Sequence, residues 1–301
     1  MKALTVLAVA LAAAATITAT ASAADPLLPF PSAKVGQVFI AAHTTTTDGA
    51  MSSWFTPGAT IQFRASALNT KTKAAIAAKQ VKYFYVAIPN QPNVKLKYDA
   101  NVSTMKNMPW TGTWVVPASV SGQVPFKILI KLKTKEKGSF VQMPVATSAL
   151  NIAQNAQPVF GPAPTSTAVS PAGKPTDIGL YVDSVNGTRP SGAAPRLVGC
   201  SQTNVFKRGE QFVLRGWGMD FKSGDVLSTD NVKEAHFSIA GQPDVVLNWG
   251  AHGTAPARVW FWTNAWNIPK DFPLGTTTVH VTYTLESGVV GTYDYDINII
   301  P

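Results

Sequence analysis

A chain that aligns with itself must build the same supersecondary unit twice, and this one does so at a shift of 151 residues. Gly58 falls on Gly209, and Ile61-Gln62-Phe63-Arg64-Ala65 falls on Phe212-Val213-Leu214-Arg215-Gly216. Val81-Lys82 then meets Val232-Lys233, and Gln91-Pro92-Asn93-Val94 meets Gln242-Pro243-Asp244-Val245. After a slip of one residue, Trp110-Thr111 and Trp114 fall on Trp262-Thr263 and Trp266, with Pro117 on Pro269. A second slip brings Gly138 onto Gly291 and Phe140 onto Tyr293. Single-residue slips between matched blocks are the mark of loops that have changed length.

Each copy alternates apolar and polar residues with a period of two. Phe84, Val86 and Ile88 alternate with Tyr83, Tyr85 and Ala87, and their counterparts Ala235, Phe237 and Ile239 alternate with Glu234, His236 and Ser238. Phe126, Ile128, Ile130 and Leu132 do the same against a largely lysine face, and Val279, Val281 and Tyr283 follow suit. Such segments, punctuated by Gly and Pro, predict half-buried antiparallel strands. Closing hairpins are expected at Lys135-Glu136-Lys137-Gly138 and at Glu286-Ser287-Gly288. Lys71 to Lys82 is the one candidate helix, but its counterpart Lys222 to Lys233 is rich in poor helix formers, which favours a loop carrying a turn of helix.

The expected fold is therefore all-β, two tandem immunoglobulin-like antiparallel β-sandwiches of about seven strands each. In this pattern the chain resembles tandem bacterial immunoglobulin-like or fibronectin type III-like proteins. The antibody-type Cys…Trp…Cys signature is absent, since Cys200 is the single cysteine, so the resemblance carries over no functional residue. The expected division is 1–23 a leader, 34–153 the first sandwich, 154–175 a linker and 176–301 the second sandwich. The linker reading rests on Pro158, Pro162, Pro164, Pro171 and Pro175 among Ala, Ser and Thr. Few contacts are expected across it, so the two sandwiches should fold separately. The second should start at Ile178-Gly179-Leu180-Tyr181-Val182, matched to Val35-Gly36-Gln37-Val38-Phe39, which gives the second copy 8 extra residues between Asn186 and Thr203.

Met1-Lys2, the apolar run Leu4 to Ala15 and Ala21-Ser22-Ala23 read as a secretory signal cleaved after Ala23. No cysteine follows to carry a lipid, and no later stretch is long and apolar enough to span a bilayer. The expected location is outside the cytoplasm, periplasmic or extracellular.

Charge separates the copies. Residues 34–153 hold 14 Lys and Arg against 3 Asp and Glu, whereas residues 176–301 hold 9 against 12. Lys127, Lys131 and Lys133 share one face of a predicted strand, extended by Lys135 and Lys137 in the turn, and Lys95 and Lys97 alternate with Val94, Leu96 and Tyr98. Lysines of this kind solubilise a sheet and block edge pairing. They also attract anions over about 8 Å at physiological salt, which makes an acidic protein or an anionic glycan or envelope surface the expected partner. Nothing resembles a base-reading motif, so no nucleic acid is expected.

Trp110 and Trp114 recur as Trp262 and Trp266, which marks them as core. Trp217, Trp249 and Trp260 have no Trp counterpart, and Gly216-Trp217-Gly218 and Trp249-Gly250 lie in glycine-rich loops, which makes these residues candidates for partner contact or for stacking on sugars. His43, His236, His252 and His280 show no ligand spacing on one strand, so no metal and no cofactor are expected. Catalytic motifs are missing as well, with no Gly-x-Ser-x-Gly elbow, zinc motif or phosphate loop. Asp294 and Asp296 point the same way on the last strand, which fits a glycosidase carboxylate pair and a solvated strand face equally well. The leading expectation is an exported, non-catalytic binding or assembly protein that docks to a larger envelope or extracellular complex. The alternative is a carbohydrate-binding module using the unshared tryptophans.

Overall fold

The computed structural model describes residues 34–142, 148–154, 161–166, 176–187, 197, 199–253 and 258–301. The expected leader and the greater part of the proline-rich segment lie outside the described residues. The first copy contributes β1 (Val38–Thr45), β2 (Trp54–Phe55), β3 (Thr60–Asn69), β4 (Val81–Ala87), β5 (Val94–Lys95), β6 (Lys97–Tyr98), β7 (Trp110–Val115), β8 (Gly122–Gln123), β9 (Lys127–Leu132), β10 (Lys137–Val141) and β11 (Asn151–Ile152). The second contributes β12 (Ile178–Asn186), β13 (Val205–Lys207), β14 (Gln211–Asp220), β15 (Val232–Ile239), β16 (Val245–Val246), β17 (Asn248–His252), β18 (Val259–Asn267), β19 (Gly275–Leu285) and β20 (Val290–Ile300).

The first sandwich packs a sheet in the order β1-β3-β7-β6 against one in the order β10-β9-β4-β5, with a small β2-β11-β8 sheet at its end. The second packs β12-β14-β18-β17 against β13-β20-β19-β15-β16. Pairing is antiparallel except where β2 runs parallel to β11 and β13 parallel to β20, the same exception in both copies. This is the immunoglobulin-like sandwich expected from the alternation. The inner faces also follow it: Phe84, Val86, Ile128 and Ile130 are buried in one unit, and Phe237, Ile239, Val279 and Val281 in the other. Trp110, Trp114, Trp262 and Trp266 are all buried, so the repeated tryptophans are core. The candidate helix is a single 3-10 turn, Ala78–Gln80, within a loop.

Two expectations need correcting. Ladder register shows which residues are truly equivalent: His43 faces Arg64 on β1 and β3, while Asp183 faces Arg215 on β12 and β14. The first strands therefore match at a shift of 140, not 143, and the second copy carries 11 extra residues between Val185 and Gln202, whose bridge is equivalent to that of Thr45 and Met51. Conservative apolar runs slide easily over one another, and only a cross-strand partner fixes the register.

The second correction is larger. The units are not separated by a linker with few contacts across it. Tyr181, Trp217, Met219, Phe221, Val259 and Phe261 of the second unit belong to the same buried apolar cluster as the first unit's core, and Met51 belongs to the second unit's. Strands β1 and β12 are buried on both faces along their whole length, which explains why neither alternates. The contact has local two-fold character. Ser52 bridges its own equivalent, Thr203. On either side, Met51 N donates to Asn204 Oδ1 at 2.7 Å, and Gln202 N, the equivalent of Met51 N, donates to Ser53 Oγ at 3.1 Å. Lys73 of the first unit also pairs with Asp177 of the second. Within the proline-rich segment, the described stretch 161–166 is bonded to both units: Asn298 Nδ2 donates to Pro162 O at 2.8 Å, and Ser166 N donates to Ser103 O at 3.0 Å.

Candidate functional site

The outer face of the β10-β9-β4-β5 sheet collects most of the predicted basic residues. Register places Lys137, Lys131 and Tyr83 in one row, Ser139, Leu129, Tyr85 and Lys95 in the next, and Val141, Lys127 and Ala87 in the third. Strand alternation turns this set away from the core. Tyr83 is 39% exposed, and its ring lies 5.4 Å from that of Tyr85. The face thus offers four ammonium groups around a pair of phenols on the outer side of the sheet. Lys133 lies just beyond the end of β9 rather than in these rows.

The same rows in the second unit read differently. Glu234 stands at the place of Tyr83, His236 at Tyr85 and His280 at Lys127. His280 Nδ1 lies 2.8 Å from Asp294 Oδ1, and Thr278 Oγ1 donates to Asp296 Oδ1 at 2.6 Å, so each carboxylate of the candidate pair is engaged with β19.

Lys95 and Lys97 do not share a face, as the sequence suggested. The chain crosses between sheets at buried Leu96: β5 pairs with β4, and β6 pairs with β7 of the opposite sheet. Both lysines are exposed and flank a groove of about 500 Å³, lined also by Asn93, Thr113, Trp114 and Val115.

Trp217 requires a further correction. It is 0% exposed, packs against Tyr181 and Phe261 with ring centroids 5.1 Å away in each case, and donates from Nε1 to Trp260 O at 2.9 Å. It fills the contact between units and is closed to any external partner. Trp249 and Trp260 are half-buried, with rings 5.9 Å apart at 33°. On the outer face beside β17, a hollow of about 520 Å³ is lined by Trp249, Asn248, His252, Phe261, Arg215 and Cys200 among others. The His252 ring stacks on Phe261 at 4.1 Å and 15°. Burial, then the Arg215 charge, lowers the His252 pKa, so the imidazole is neutral at pH 7.

Polar residues that the sequence did not flag sit between the units. Arg215 is 2% exposed and grips Asp183 with Nε to Oδ1 at 2.7 Å and Nη2 to Oδ2 at 2.6 Å, while Nη1 donates to Ser148 Oγ of the first unit at 2.8 Å. Gln202 Nε2 and the Tyr181 hydroxyl also donate to Asp183 Oδ2. Burial alone would lower the Arg215 pKa, but the Asp183 charge and hydrogen bonds hold it above its usual value. The same burial, reinforced by Asp183, drives the Tyr181 pKa far up. Arg64, the equivalent of Arg215, faces His43 instead of an aspartate and donates to Thr104 Oγ1 at 3.0 Å. His43 is buried against Tyr181, and burial pushes its pKa down to about 4. The sequence did carry a signal for this cluster, because Arg64 and Arg215 recur at one position of matched, largely apolar blocks.

No helix among the described residues is long and apolar enough to cross a membrane. No family model and no curated protein matches the chain. Among solved structures it is similar to one described as fibronectin(III)-like modules of Clostridium thermocellum CbhA, at 12% identity, 85% of this chain and 93% of that chain covered, and a TM-score of 0.21.

Proposed function

We propose that the chain is an exported, non-catalytic binding or assembly protein that docks an acidic partner of the envelope or extracellular space through the outer face of its first sandwich. The observation that carries this reading is the clustering of Lys95, Lys127, Lys131 and Lys137 around Tyr83 and Tyr85 on the outer face of one sheet. Ammonium groups set the long-range attraction and the association rate, and flat phenols supply contact area once water is displaced. The test is binding of the mature chain to heparin-type and polyglutamate surfaces across a salt series. Replacing Lys127, Lys131 and Lys133 together with Gln should slow association and flatten the salt dependence. Unchanged association at low salt would overturn the reading.

A second reading is favoured by one observation, the half-buried Trp249–Trp260 pair at the edge of the second unit. Such indoles stack on pyranose faces. A glycan array with a Trp249→Ala control tests it, and defined sugars lost in the variant would select it over the first.

A further inference from the structure

The groove between β5 and β7 has a property that its counterpart in the second unit lacks. Strand β7 pairs with β3 along all of Trp110–Val115 but with β6 only at Trp110 and Thr111. Val116 N donates to Ala59 O on the β3 side, and Pro109 O accepts from Asp99 N on the other. Main-chain groups of an antiparallel strand alternate in direction. Those of Thr113 and Val115 therefore point away from β3, along the line that β6 would have continued had the chain not crossed to the other sheet at Leu96. Leu96 N donates to Phe84 O, which by the same alternation turns the main-chain groups of Lys95 toward β7.

In the second unit the equivalent gap is filled by a side chain. Asn264 Oδ1 accepts from Ala265 N at 2.8 Å, and its Nδ2 donates to Val246 O at 2.6 Å. Register makes Ala265 the equivalent of Thr113, Val246 that of Lys95 and Asn264 that of Gly112. One amide thus does for the second unit what a neighbouring strand would do. Gly112 has no side chain to do the same, and Lys95 O sits 2.8 Å from where its Cβ would be.

We infer that this open edge accepts a short extended acidic segment of a partner, which adds a strand to β7 by pairing with Thr113 and Val115 while its carboxylates meet Lys95 and Lys97. Main-chain pairing at an exposed sheet edge gives affinity without sequence readout, and alternate side chains then give selectivity. Charge complementarity commits the occupant: the walls carry two exposed lysines, and the unit has 14 basic residues against 3 acidic. The volume falls within the ~300–1,000 Å³ of ordinary ligand clefts, and Val115, 62% exposed at the rim, offers an apolar contact beside the charges. The inference deepens the docking function proposed above by placing part of the partner in a second, geometrically specific site.

The probe is a labelled peptide of alternating Glu and Val, about eight residues long, the length of an ordinary strand. Controls are its Lys-Val counterpart and polyglutamate of equal charge. With the full chain, the Glu-Val peptide should bind, slow hydrogen exchange at the Thr113 and Val115 amides at least about tenfold, and lose affinity about tenfold in the Lys95→Gln, Lys97→Gln double variant. Gly112→Asn, which supplies the second unit's plug, should abolish the protection. The double variant changes only exposed side chains, so it stays informative if Gly112→Asn misfolds. Equal binding of the Lys-Val peptide, or no protection at Thr113 and Val115, would overturn the strand-addition site. If protection appeared instead on β9 and polyglutamate bound equally well, strand addition would fall while docking through the lysine face would stand. If neither peptide nor polyglutamate bound, both would fall.

Discussion

Arg64 and Arg215 occupy equivalent positions with opposite fates. Arg215 is neutralised by Asp183, and removing one partner of a buried, hydrogen-bonded ion pair costs about 3–5 kcal/mol, because the other charge is left uncompensated. Asp183→Asn should therefore lower the unfolding free energy from denaturant titration by that much, whereas a paired apolar replacement of Asp183 and Arg215 should recover part of the loss. His43, at the place of Asp183, gives a pH signature. Burial holds its folded pKa at about 4, against the ordinary histidine value of about 6.5. The unfolded chain thus takes up a proton below about pH 6.5 that the folded chain refuses until about pH 4. Stability is fully present above the higher value and is lost on descending to the lower, by an amount on the order of 3 kcal/mol. Urea titrations at pH 7 and pH 4.5 should show the loss, and His43→Gln should remove that part of it. Trp217→Ala should cost about 3–5 kcal/mol, as large-to-small changes in a full core do. It should also leave any glycan binding at Trp249 untouched.

At the level of elements, the matched glycines of the repeat acquire a purpose. Gly138 at the start of β10 lies where a Cβ would fall 2.3 Å from Val38 O of β1, and a Cβ on its counterpart Gly291 would fall 2.9 Å from Ile178 Cδ1 of β12. The missing side chain lets β1 pack closely on β10 and β12 on β20. Gly138→Ala should destabilise by about 1–3 kcal/mol through overpacking, measurable as a lower denaturation midpoint with the lysine face unchanged. The Lys127, Lys131 and Lys133 variant, in contrast, should stay within about 0.5 kcal/mol of the parent, because those side chains touch no core. Sheet class and the alternating strands were legible because each obeys a period of two, and the core tryptophans because both copies keep them. Strands β1 and β12 were harder, because burial on both faces erases that period and leaves only an apolar run whose register slides. The same loss of contrast hid Trp217: a tryptophan flanked by glycines reads as a surface loop until the strand beside it is known to be covered. Lys95 and Lys97 were misjudged for another reason, since a strand that changes sheets midway keeps its alternation while its two halves face different solvent.

For the whole molecule, Tyr181, Trp217 and Phe261 lie in one buried cluster with the first unit's core, so the two sandwiches should unfold together. Calorimetry should show a single transition. A chain cut within the proline-rich segment should elute as one species from a sizing column and separate only in denaturant. The isolated second unit, which would expose those rings, should aggregate. Two separable, monomeric halves would refute this. The bridge of Ser52 to Thr203 has a consequence for symmetry. A residue that meets its own equivalent, flanked by a reciprocal pair of hydrogen bonds, lies on the axis of an isologous contact, the kind formed by two identical subunits. A repeat held this way gains within one polypeptide what two identical subunits gain by associating, with no dependence on concentration. The two halves of the contact are separate positions in one chain, so the copies need not be alike: the first carries lysines on its outer sheet and Gly112, and the second carries Glu234, His236 and Asn264 at equivalent places. A substitution on one outer face is therefore not repeated on the other, as it would be in a symmetric dimer.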